Sequence, residues 1–363
     1  MNYKIPFVNY PRGYEAIKEE IDTAIQGVLS QGDLILREEV GMFEKELAGF
    51  LRVKYVVGVN SGTDALLLSL KTTGIKQGDE VITSAHTFWA TLEAIIHAGA
   101  HPVLADIDGE GLIDATNLAP ISSKTKAIIP VHIAGQVCDM KAVEKMKDEC
   151  EFRFGTSVAI IEDAAQALGA SRDEKKAGTW GMTGCFSFYP AKILGAYGDA
   201  GAVATNDEKL YSRLLNLRNH GGKPNAVEPG YNSRLDNLQA AILRVKLKYL
   251  PVVIQRRTEI ASIYDQKLEE LRKEGLLRLP YNRLGRVYQD YIVGTERHDD
   301  LRGFLSSRGI ETMINEYRFG PGFPKPLLTS VWERDTLRLP CYPELTDEEV
   351  YEVIKAIKLF FKR

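Results

Sequence analysis

The chain has 363 residues, of which 44% are hydrophobic and 26% are charged, the composition of an ordinary globular protein. Its 46 basic and 49 acidic residues leave a net charge of -3, which gives no general attraction to nucleic acid or anionic membranes. The amino terminus has no apolar signal region, and no apolar run approaches membrane-spanning length. The four cysteines show neither metal-ligand spacing nor a disulfide framework. We therefore expect a cytoplasmic protein with free thiols, no metal site, no nucleic-acid partner and no membrane partner.

The first 50 residues predict two amphipathic helices. Apolar residues recur at helical spacing, the segment 30–34 (SQGDL) interrupts them, and a second apolar series follows. Residues 55–70 (YVVGVNSGTDALLLSL) then predict a buried strand, a turn through Asn60, Ser61 and Gly62, and a helix from about Thr63. A helix that begins this way presents free amides and a favourable dipole to a phosphate. The same residues also make a good helix cap, so both interpretations stay open.

Strands and helices alternate from residue 79 to residue 165. The strands are apolar without polar alternation, which indicates a largely parallel sheet covered by helices on both faces, an α/β fold. Ligands of such sheets bind at the carboxyl ends of the strands. The residues at or just after these ends are the Ser61 turn, Phe88, Trp89, His132, Asp163 and Lys192.

The segment 184–203 (GCFSFYPAKILGAYGDAGAV) holds Lys192 on a glycine-rich turn after a strand. A single lysine on such a turn is most often a solvated surface residue. About thirty residues upstream, however, an apolar strand ends in Glu162 and Asp163. Pyridoxal phosphate requires a lysine amine for its aldehyde and an acid for its ring nitrogen, and this pair of positions fits both requirements.

Beyond residue 206 the sequence predicts a helix up to His220, a polar loop and a long helix over 237–257 that is bent or broken at Pro251. Charged helices and short strands follow, and the last helix is predicted over 347–361. We expect a large cofactor-binding domain over residues 1–245 and a smaller α/β carboxyl-terminal domain over residues 246–363.

Six motifs stand in a recognisable order: NSGTDAL, TFWAT, PVHIAGQVCDM, IEDAAQALGA, SFYPAKILGAYGDAGA and GYNSRLDNLQAAILRVKL. Together they resemble the DegT/DnrJ/EryC1/StrS family of sugar aminotransferases over nearly the whole chain. The resemblance implies the type I fold of pyridoxal phosphate-dependent transferases. It also implies pyridoxal 5'-phosphate as the cofactor and a homodimer whose active sites are shared between subunits.

The resemblance assigns two catalytic residues and a set of cofactor contacts. Lys192 would form the resting Schiff base and later move the proton, and Asp163 would keep the ring nitrogen protonated. The alternatives are a solvated lysine and a helix-capping aspartate. The other implied contacts are Gln166 at the ring hydroxyl, Phe88 or Trp89 on the ring face, Gly62, Thr63 and Ser187 at the phosphate, and Asn232 at the partner subunit's phosphate. Gln166 and Asn232 are also compatible with ordinary polar positions, and Phe88 with a core position.

Three positions depart from the family pattern. Leu168 and Gln289 stand where histidine is common, and the segment ETMINEYRFGPGF replaces a run of histidine, tyrosine and proline. We expect these changes to lie where the substrate sits and to leave the cofactor chemistry intact.

The resemblance implies transfer of an amino group from an amino acid, L-glutamate being expected, to the keto group of a nucleotide-activated sugar. Within the family, a cofactor-dependent sugar dehydratase and an aminoshikimate-type enzyme are alternatives, and Lys192 argues against the dehydratase. A non-catalytic pyridoxal-binding regulatory protein is an alternative of a different class, which the intact Lys192 and Asp163 disfavour.

Overall fold

The computed structural model describes residues 3–116, 121–281, 284–314, 319, 322–323 and 325–362. Its helices are α1 (Tyr10–Glu15), α2 (Lys18–Gln31), α3 (Glu38–Leu51), α4 (Gly62–Thr72), α5 (Trp89–His97), α6 (Met140–Phe154), α7 (Glu208–Leu217), α8 (Asn237–Lys273), α9 (His298–Ser307), α10 (Leu327–Arg334) and α11 (Asp347–Phe361). Its strands are β1 (Tyr55–Val59), β2 (Glu80–Ser84), β3 (His101–Ala105), β4 (Thr125–Ile129), β5 (Ala159–Asp163), β6 (Ser171–Arg172), β7 (Lys175–Lys176), β8 (Thr183–Ser187), β9 (Gly201–Thr205), β10 (Tyr291–Gly294), β11 (Met313–Ile314) and β12 (Thr336–Leu339).

Among the described residues the main sheet has seven strands in the order β1-β9-β8-β5-β4-β2-β3. The pairs β2–β3, β2–β4, β4–β5 and β5–β8 are parallel, and only β9 runs against its two neighbours. The carboxyl ends of β1, β2, β4, β5 and β8 therefore meet at one edge of the sheet. The prediction of a largely parallel α/β sheet is confirmed.

Helices cover both faces of this sheet, which explains the unalternating apolar strands. In β4, Ile128 packs in the hydrophobic cluster on one face, while Ala127 and Ile129 pack in the cluster on the other. The neighbouring strand repeats this arrangement, with Ile160 on one side and Ile161 on the opposite side. Because both faces are buried, every position of these strands favours an apolar residue.

The amino-terminal helices are divided as the sequence predicts. Helix α2 ends at Gln31, and Gly32 adopts a φ of 72°, the left-handed conformation that glycine tolerates at a helix end. Helix α3 then begins at Glu38 and buries Phe43 and Leu47 in the main core.

The helix was predicted to be bent or broken at Pro251, and the break is wrong because α8 continues through this residue to Lys273. A proline inside a helix removes one backbone hydrogen bond, but packing on both sides of Pro251 offsets that loss. Leu250 is fully buried in the main core, and Ile260 and Tyr264 are fully buried in the core of the carboxyl-terminal part. The helix thus links two hydrophobic cores.

The carboxyl-terminal part contains a three-stranded antiparallel sheet in the order β10-β12-β11. Its core joins β10 and β12 to α9, α11 and the second half of α8. The predicted final helix over 347–361 is confirmed by α11. The division of the chain at residue 245 stays a prediction. None of the described helices is both long enough and apolar enough to cross a membrane.

Candidate active site

Asp163 is the last residue of β5 and lies at the centre of the carboxyl edge of the sheet. Its side chain is only 6% exposed. Thr91 donates a hydrogen bond from Oγ1 to Oδ2 of Asp163 at 2.8 Å, and the Ala165 backbone N–H donates to Oδ1 at 3.2 Å. Burial raises the pKa of Asp163, while these hydrogen bonds and the charge of Lys192 oppose the rise. These hydrogen bonds hold the carboxylate in place, and it forms no ion pair with a described residue.

Lys192 lies on the turn that follows β8. The turn is closed by backbone hydrogen bonds from Lys192 to Tyr189 and from Ala196 to Phe188, both at 2.8 Å. Gly195 is required here, since a Cβ at this residue would lie 2.3 Å from the carbonyl oxygen of Pro190. The glycines of this turn thus permit a compact loop, as the sequence predicts.

The Lys192 amine makes no hydrogen bond or ion pair with a described residue. Burial lowers the pKa of Lys192, Arg338 acts in the same direction, and the charges of Asp290 and Asp163 oppose this effect. Asp290 and Arg338 pair with each other at 3.1 Å. A lowered pKa increases the neutral fraction of the amine, which is the nucleophilic form.

The amino terminus of α4 lies against the end of β8. Ser61 caps this helix by accepting a hydrogen bond from the Asp64 backbone N–H at 3.1 Å. A Cβ on Gly62 would lie 2.7 Å from the Cβ of Ser187, so only glycine allows this approach. Gly62, Thr63 and Ser187 thereby meet at a helix amino terminus, the kind of position that binds phosphate in many proteins.

Gln166 is buried just beyond Asp163, and its amide has a fixed orientation. Its Oε1 accepts a hydrogen bond from the Ala134 backbone N–H at 2.8 Å. Ala134 adopts a positive φ of 53°, which turns this N–H towards the glutamine. The Gln166 NH2 group is left available as a hydrogen-bond donor at the sheet edge.

The two adjacent aromatic residues after β2 have different environments. Phe88 caps α5 and is 59% exposed. Trp89 packs against two rings of the carboxyl-terminal part, with centroid distances of 5.7 Å to Phe319 and 6.0 Å to Phe323. Phe88 is therefore largely accessible to solvent, whereas Trp89 forms a contact between the two parts of the chain.

Asn232 lies on the surface of the subunit, and its side chain has no partner among the described residues. The neighbouring Ser233 donates from Oγ to Oδ2 of Asp64 at 2.7 Å, which fastens this loop to the start of α4. Its proposed role at a partner subunit's phosphate stays a prediction.

Two other residues at the sheet edge serve the scaffold. The Glu162 carboxylate accepts backbone N–H groups from Gly178, Trp180 and Gly181 at 2.6–2.7 Å. It also pairs with Nε2 of the fully buried His132 at 2.9 Å. Successive residues of a strand point to opposite faces, so Glu162 is turned away from the face that Asp163 serves.

Sequence reasoning missed Thr91 and placed Gln289 differently. Thr91 stands within the TFWAT motif, but its contact with Asp163 spans 72 residues of sequence and has no local signal. Gln289 was expected near the substrate, yet its amide hydrogen-bonds to the backbone beside Lys192. Leu168 is buried in the main core. Of the predicted substrate segment ETMINEYRFGPGF, residues 315–318 and 320–321 lie outside the described residues.

These residues fit pyridoxal phosphate. Within the described part of the chain, Asp163 is a buried carboxylate without an ion pair, Lys192 is an amine without a hydrogen bond or ion pair, and Gly62 brings a helix amino terminus close to Ser187. A protonated ring nitrogen, an aldehyde and a phosphate match these three features in turn. Fold and site together define a pyridoxal phosphate enzyme with an α/β architecture.

Comparison with known proteins agrees with this class. The model of the DegT/DnrJ/EryC1/StrS aminotransferase family matches residues 15–358, and the chain belongs to this family. It is 37% identical to a Streptomyces venezuelae dTDP-3-amino-3,4,6-trideoxy-alpha-D-glucose transaminase, covering 99% of this chain and 97% of the relative. It is also 37% identical to a pleiotropic regulatory protein of Geobacillus stearothermophilus, over 99% of both chains.

A solved structure, S. venezuelae DesV in complex with a ketimine intermediate, superimposes with a TM-score of 0.91 at 36% identity over 99% of both chains. The predictions of the family, the type I fold, aminotransferase activity and pyridoxal phosphate as the cofactor are confirmed by these findings.

Proposed function

We propose that this aminotransferase moves an amino group from L-glutamate to the keto group of a nucleotide-linked sugar. The observation that carries the proposal is the presence of Asp163 and Lys192 at one edge of the sheet, a buried carboxylate and an amine that bonds to no residue the structure describes. The name of the S. venezuelae relative supports a nucleotide-linked sugar as the acceptor.

The residues that would hold the cofactor follow from the site. Asp163 would face the ring nitrogen, the Gln166 NH2 group would donate to the ring hydroxyl, and Phe88 would cover the ring face. Trp89 would cover the ring face in place of Phe88 or line the sugar pocket. Gly62, Thr63 and Ser187 would receive the phosphate, because the first amides of α4 point towards it.

When bound, pyridoxal phosphate supplies an electron sink for the carbon whose proton is removed. Lys192 Nζ acts as the base that takes the proton from Cα of the amino-acid donor and later returns a proton to the acceptor. Its lowered pKa keeps part of the amine neutral for this task. Asp163 holds the proton on the ring nitrogen, because a buried carboxylate strongly favours a nearby positive charge.

Asn232 and the dimer complete the proposal. Asn232 is exposed and offers a side chain without a described partner, which suits a contact with a second copy of the chain. We propose a homodimer in which Asn232 of each subunit reaches the phosphate of the other site. We also propose a cytoplasmic location, which four buried free cysteines favour, and domains over 1–245 and 246–363.

The direct test incubates the purified protein with pyridoxal phosphate, L-glutamate and a panel of nucleotide-linked keto-sugars. Mass spectrometry should find an amino-sugar product and an equal amount of 2-oxoglutarate. Absence of any amino-sugar product across dTDP- and UDP-linked substrates would contradict the proposed acceptor class, and turnover of a free carbocyclic ketone would favour the aminoshikimate-type alternative.

A regulatory function is the second candidate, because one relative is named a pleiotropic regulatory protein. Lys192 and Asp163 are both present and suitably placed, which a purely regulatory protein does not need. The same turnover assay separates the two functions, since a non-catalytic protein would bind the cofactor and release no 2-oxoglutarate.

A further inference from the structure

The Gln289 side chain hydrogen-bonds to the backbone on both sides of Lys192. Its Nε2 donates to the carbonyl oxygen of Ala191 at 2.9 Å, and its Oε1 accepts from the Ile193 backbone N–H, also at 2.9 Å. The two peptide groups held in this way are those that flank Lys192. One buried side-chain amide, of a residue that is 9% exposed, therefore fixes the orientation of the backbone at Lys192.

These two bonds supplement the bond from the Lys192 backbone N–H to the Tyr189 carbonyl oxygen in the middle of the turn. The other backbone bonds of the turn lie at Tyr189–Lys192 and at Phe188–Ala196. Neither the Ala191 carbonyl nor the Ile193 N–H has a backbone partner among the described residues. Without Gln289 both groups would lose their protein partner in a largely buried region, which costs free energy unless the turn rearranges.

Gln289 is itself held firmly from two directions. Arg257 of α8 donates from Nη1 to the carbonyl oxygens of Tyr288 and Gln289 at 3.2 and 3.1 Å. Gly135, from the large sheet region, approaches so closely that a Cβ there would lie 2.8 Å from the Gln289 backbone nitrogen. Tyr288 adopts a φ of 48°, an unfavourable conformation for a non-glycine residue that the surrounding contacts impose.

We propose that Gln289 is a positioning residue that aims the Lys192 amine at the cofactor aldehyde by fixing the Ala191 and Ile193 peptides. The inference rests on the proposed function only in that Lys192 must be the residue that links to the cofactor. Gln289 lies two residues before the start of β10, so the carboxyl-terminal part of the chain takes part in positioning the lysine. A misplacement of about 1 Å at a reacting group can cost roughly 100-fold in rate.

The chain offers a matched control in Gln239. Its amide makes the same pair of hydrogen bonds to one residue at the far end of the turn, from Tyr197 N to Oε1 at 3.0 Å and from Nε2 to Tyr197 O at 3.2 Å. Gln289→Ala and Gln239→Ala thus remove equal bonding, but only the first removes bonds that flank Lys192. Gln289→Glu is the second test variant, because it keeps the size and the acceptor and loses the donor to Ala191.

The experiment adds pyridoxal phosphate to the cofactor-free proteins without any substrate. Stopped-flow absorbance follows the covalent link between the Lys192 amine and the aldehyde, which forms with loss of water, and a pH titration of the visible band follows its protonation. Borohydride reduction and peptide mapping identify the linked lysine. Thermal unfolding reports on general stability.

We expect Gln289→Ala to slow formation of the link roughly 10- to 100-fold and to shift the titration midpoint, with a smaller effect of the same sign for Gln289→Glu. Gln239→Ala should keep the rate of link formation and the titration midpoint within about twofold of the wild-type values. This should hold even if its melting temperature falls as far as that of Gln289→Ala. Equal slowing in both alanine variants, or a Gln289→Ala rate within twofold of wild type, would overturn the inference. Failure of the wild type to link at Lys192 would overturn it together with the proposed function, whereas normal linking without turnover would contradict the substrate proposal alone.

Discussion

Thr91 and Asp163 are joined by a hydrogen bond of 2.8 Å from Oγ1 to Oδ2. In the sheet, β4 lies between β5, which ends at Asp163, and β2, which precedes Thr91 in the chain. Thr91 follows β2 in the first turn of α5, and its hydroxyl is also 2.7 Å from that of Thr87. Since the Thr91 proton goes to the carboxylate, Thr87 donates to Thr91. The two threonines therefore orient the carboxylate that we propose faces the ring nitrogen of the cofactor.

Replacing Thr91 by valine keeps its shape and removes this hydrogen bond. A hydrogen bond to a charged group contributes about 1.5–3 kcal/mol, so kcat/KM should fall roughly 10- to 100-fold. The matched control is Thr72→Val, because the buried Thr72 hydroxyl has no hydrogen-bond partner in the described part of the chain and its loss should be nearly neutral. Steady-state kinetics of both variants check this, and similar activities for the two would contradict the role of Thr91.

Asp163→Asn should preserve the fold and weaken the chemistry. The amide is similar in shape but does not favour a proton on the ring nitrogen, so activity should fall by roughly two to four orders of magnitude, as after loss of a key electrostatic group. Circular dichroism verifies folding, and single-turnover kinetics measure the loss. Activity within about threefold of wild type would exclude the proposed role.

The difference between residues that could and could not be predicted is physical. The shared location of Lys192 and Asp163 at one sheet edge could be predicted, because Asp163 ends one apolar strand, Lys192 follows another, and parallel strands bring such ends together, while their catalytic roles stay predictions. The Thr91 contact and the two hydrogen bonds of the Gln289 amide could not be predicted, because the residues they join lie 72 and about 97 positions apart in the sequence. The helix break predicted at Pro251 was wrong for a similar reason, since the hydrophobic cores that stabilise α8 around it come from distant segments.

Gly62→Ala should disturb the proposed phosphate site. The new Cβ would lie 2.7 Å from the Cβ of Ser187, so α4 or β8 must shift, at a cost of about 1–3 kcal/mol. Cofactor affinity should fall at least roughly 10-fold. Gly41→Ala in α3 is the control, because nothing lies within 4 Å and alanine should stabilise that helix by about 0.5–1 kcal/mol. Equilibrium dialysis and thermal unfolding separate the two variants, and unchanged affinity in Gly62→Ala would contradict the assignment.

Lys192→Met should stabilise the cofactor-free protein near neutral pH. Burial lowers the pKa of Lys192, so between this lowered pKa and 10.5 the unfolded chain binds a proton that the folded chain does not. The free energy of unfolding of the wild type therefore increases as pH rises through that window. The stability advantage of Lys192→Met over the wild type should decrease accordingly.

Melting temperatures at pH 7.5 and pH 10.5 measure the effect. We expect the variant to melt at a higher temperature than wild type at the lower pH, and the difference to be smaller at the higher pH. Lys355→Met is the control, since Lys355 is exposed on α11. An advantage of Lys192→Met that stays constant at both pH values would show that titration of Lys192 is not its cause.

The shared active site can be tested by mixing two inactive chains. Asn232 is exposed, and Ser233 beside it is bonded to Asp64 in the first turn of α4, so the loop lies near the proposed phosphate site of its own subunit. A symmetric dimer would bring two such regions together and create two equivalent sites. Asn232→Asp should then place a negative charge against the phosphate of the partner's site.

Lys192→Ala and Asn232→Asp homodimers should each be inactive, whereas their heterodimer should regain about one functional site. One of its two sites carries both changes and the other carries neither, because each site takes its lysine from one chain and its asparagine from the other. Turnover after subunit exchange, with exchange verified by native mass spectrometry of differently tagged chains, provides the measurement. A wild-type chain mixed with the Lys192→Ala chain serves as the positive control for half-site activity. If Asn232 acted within its own subunit, each heterodimer site would carry one defect, and a verified heterodimer as inactive as its parents would refute the sharing.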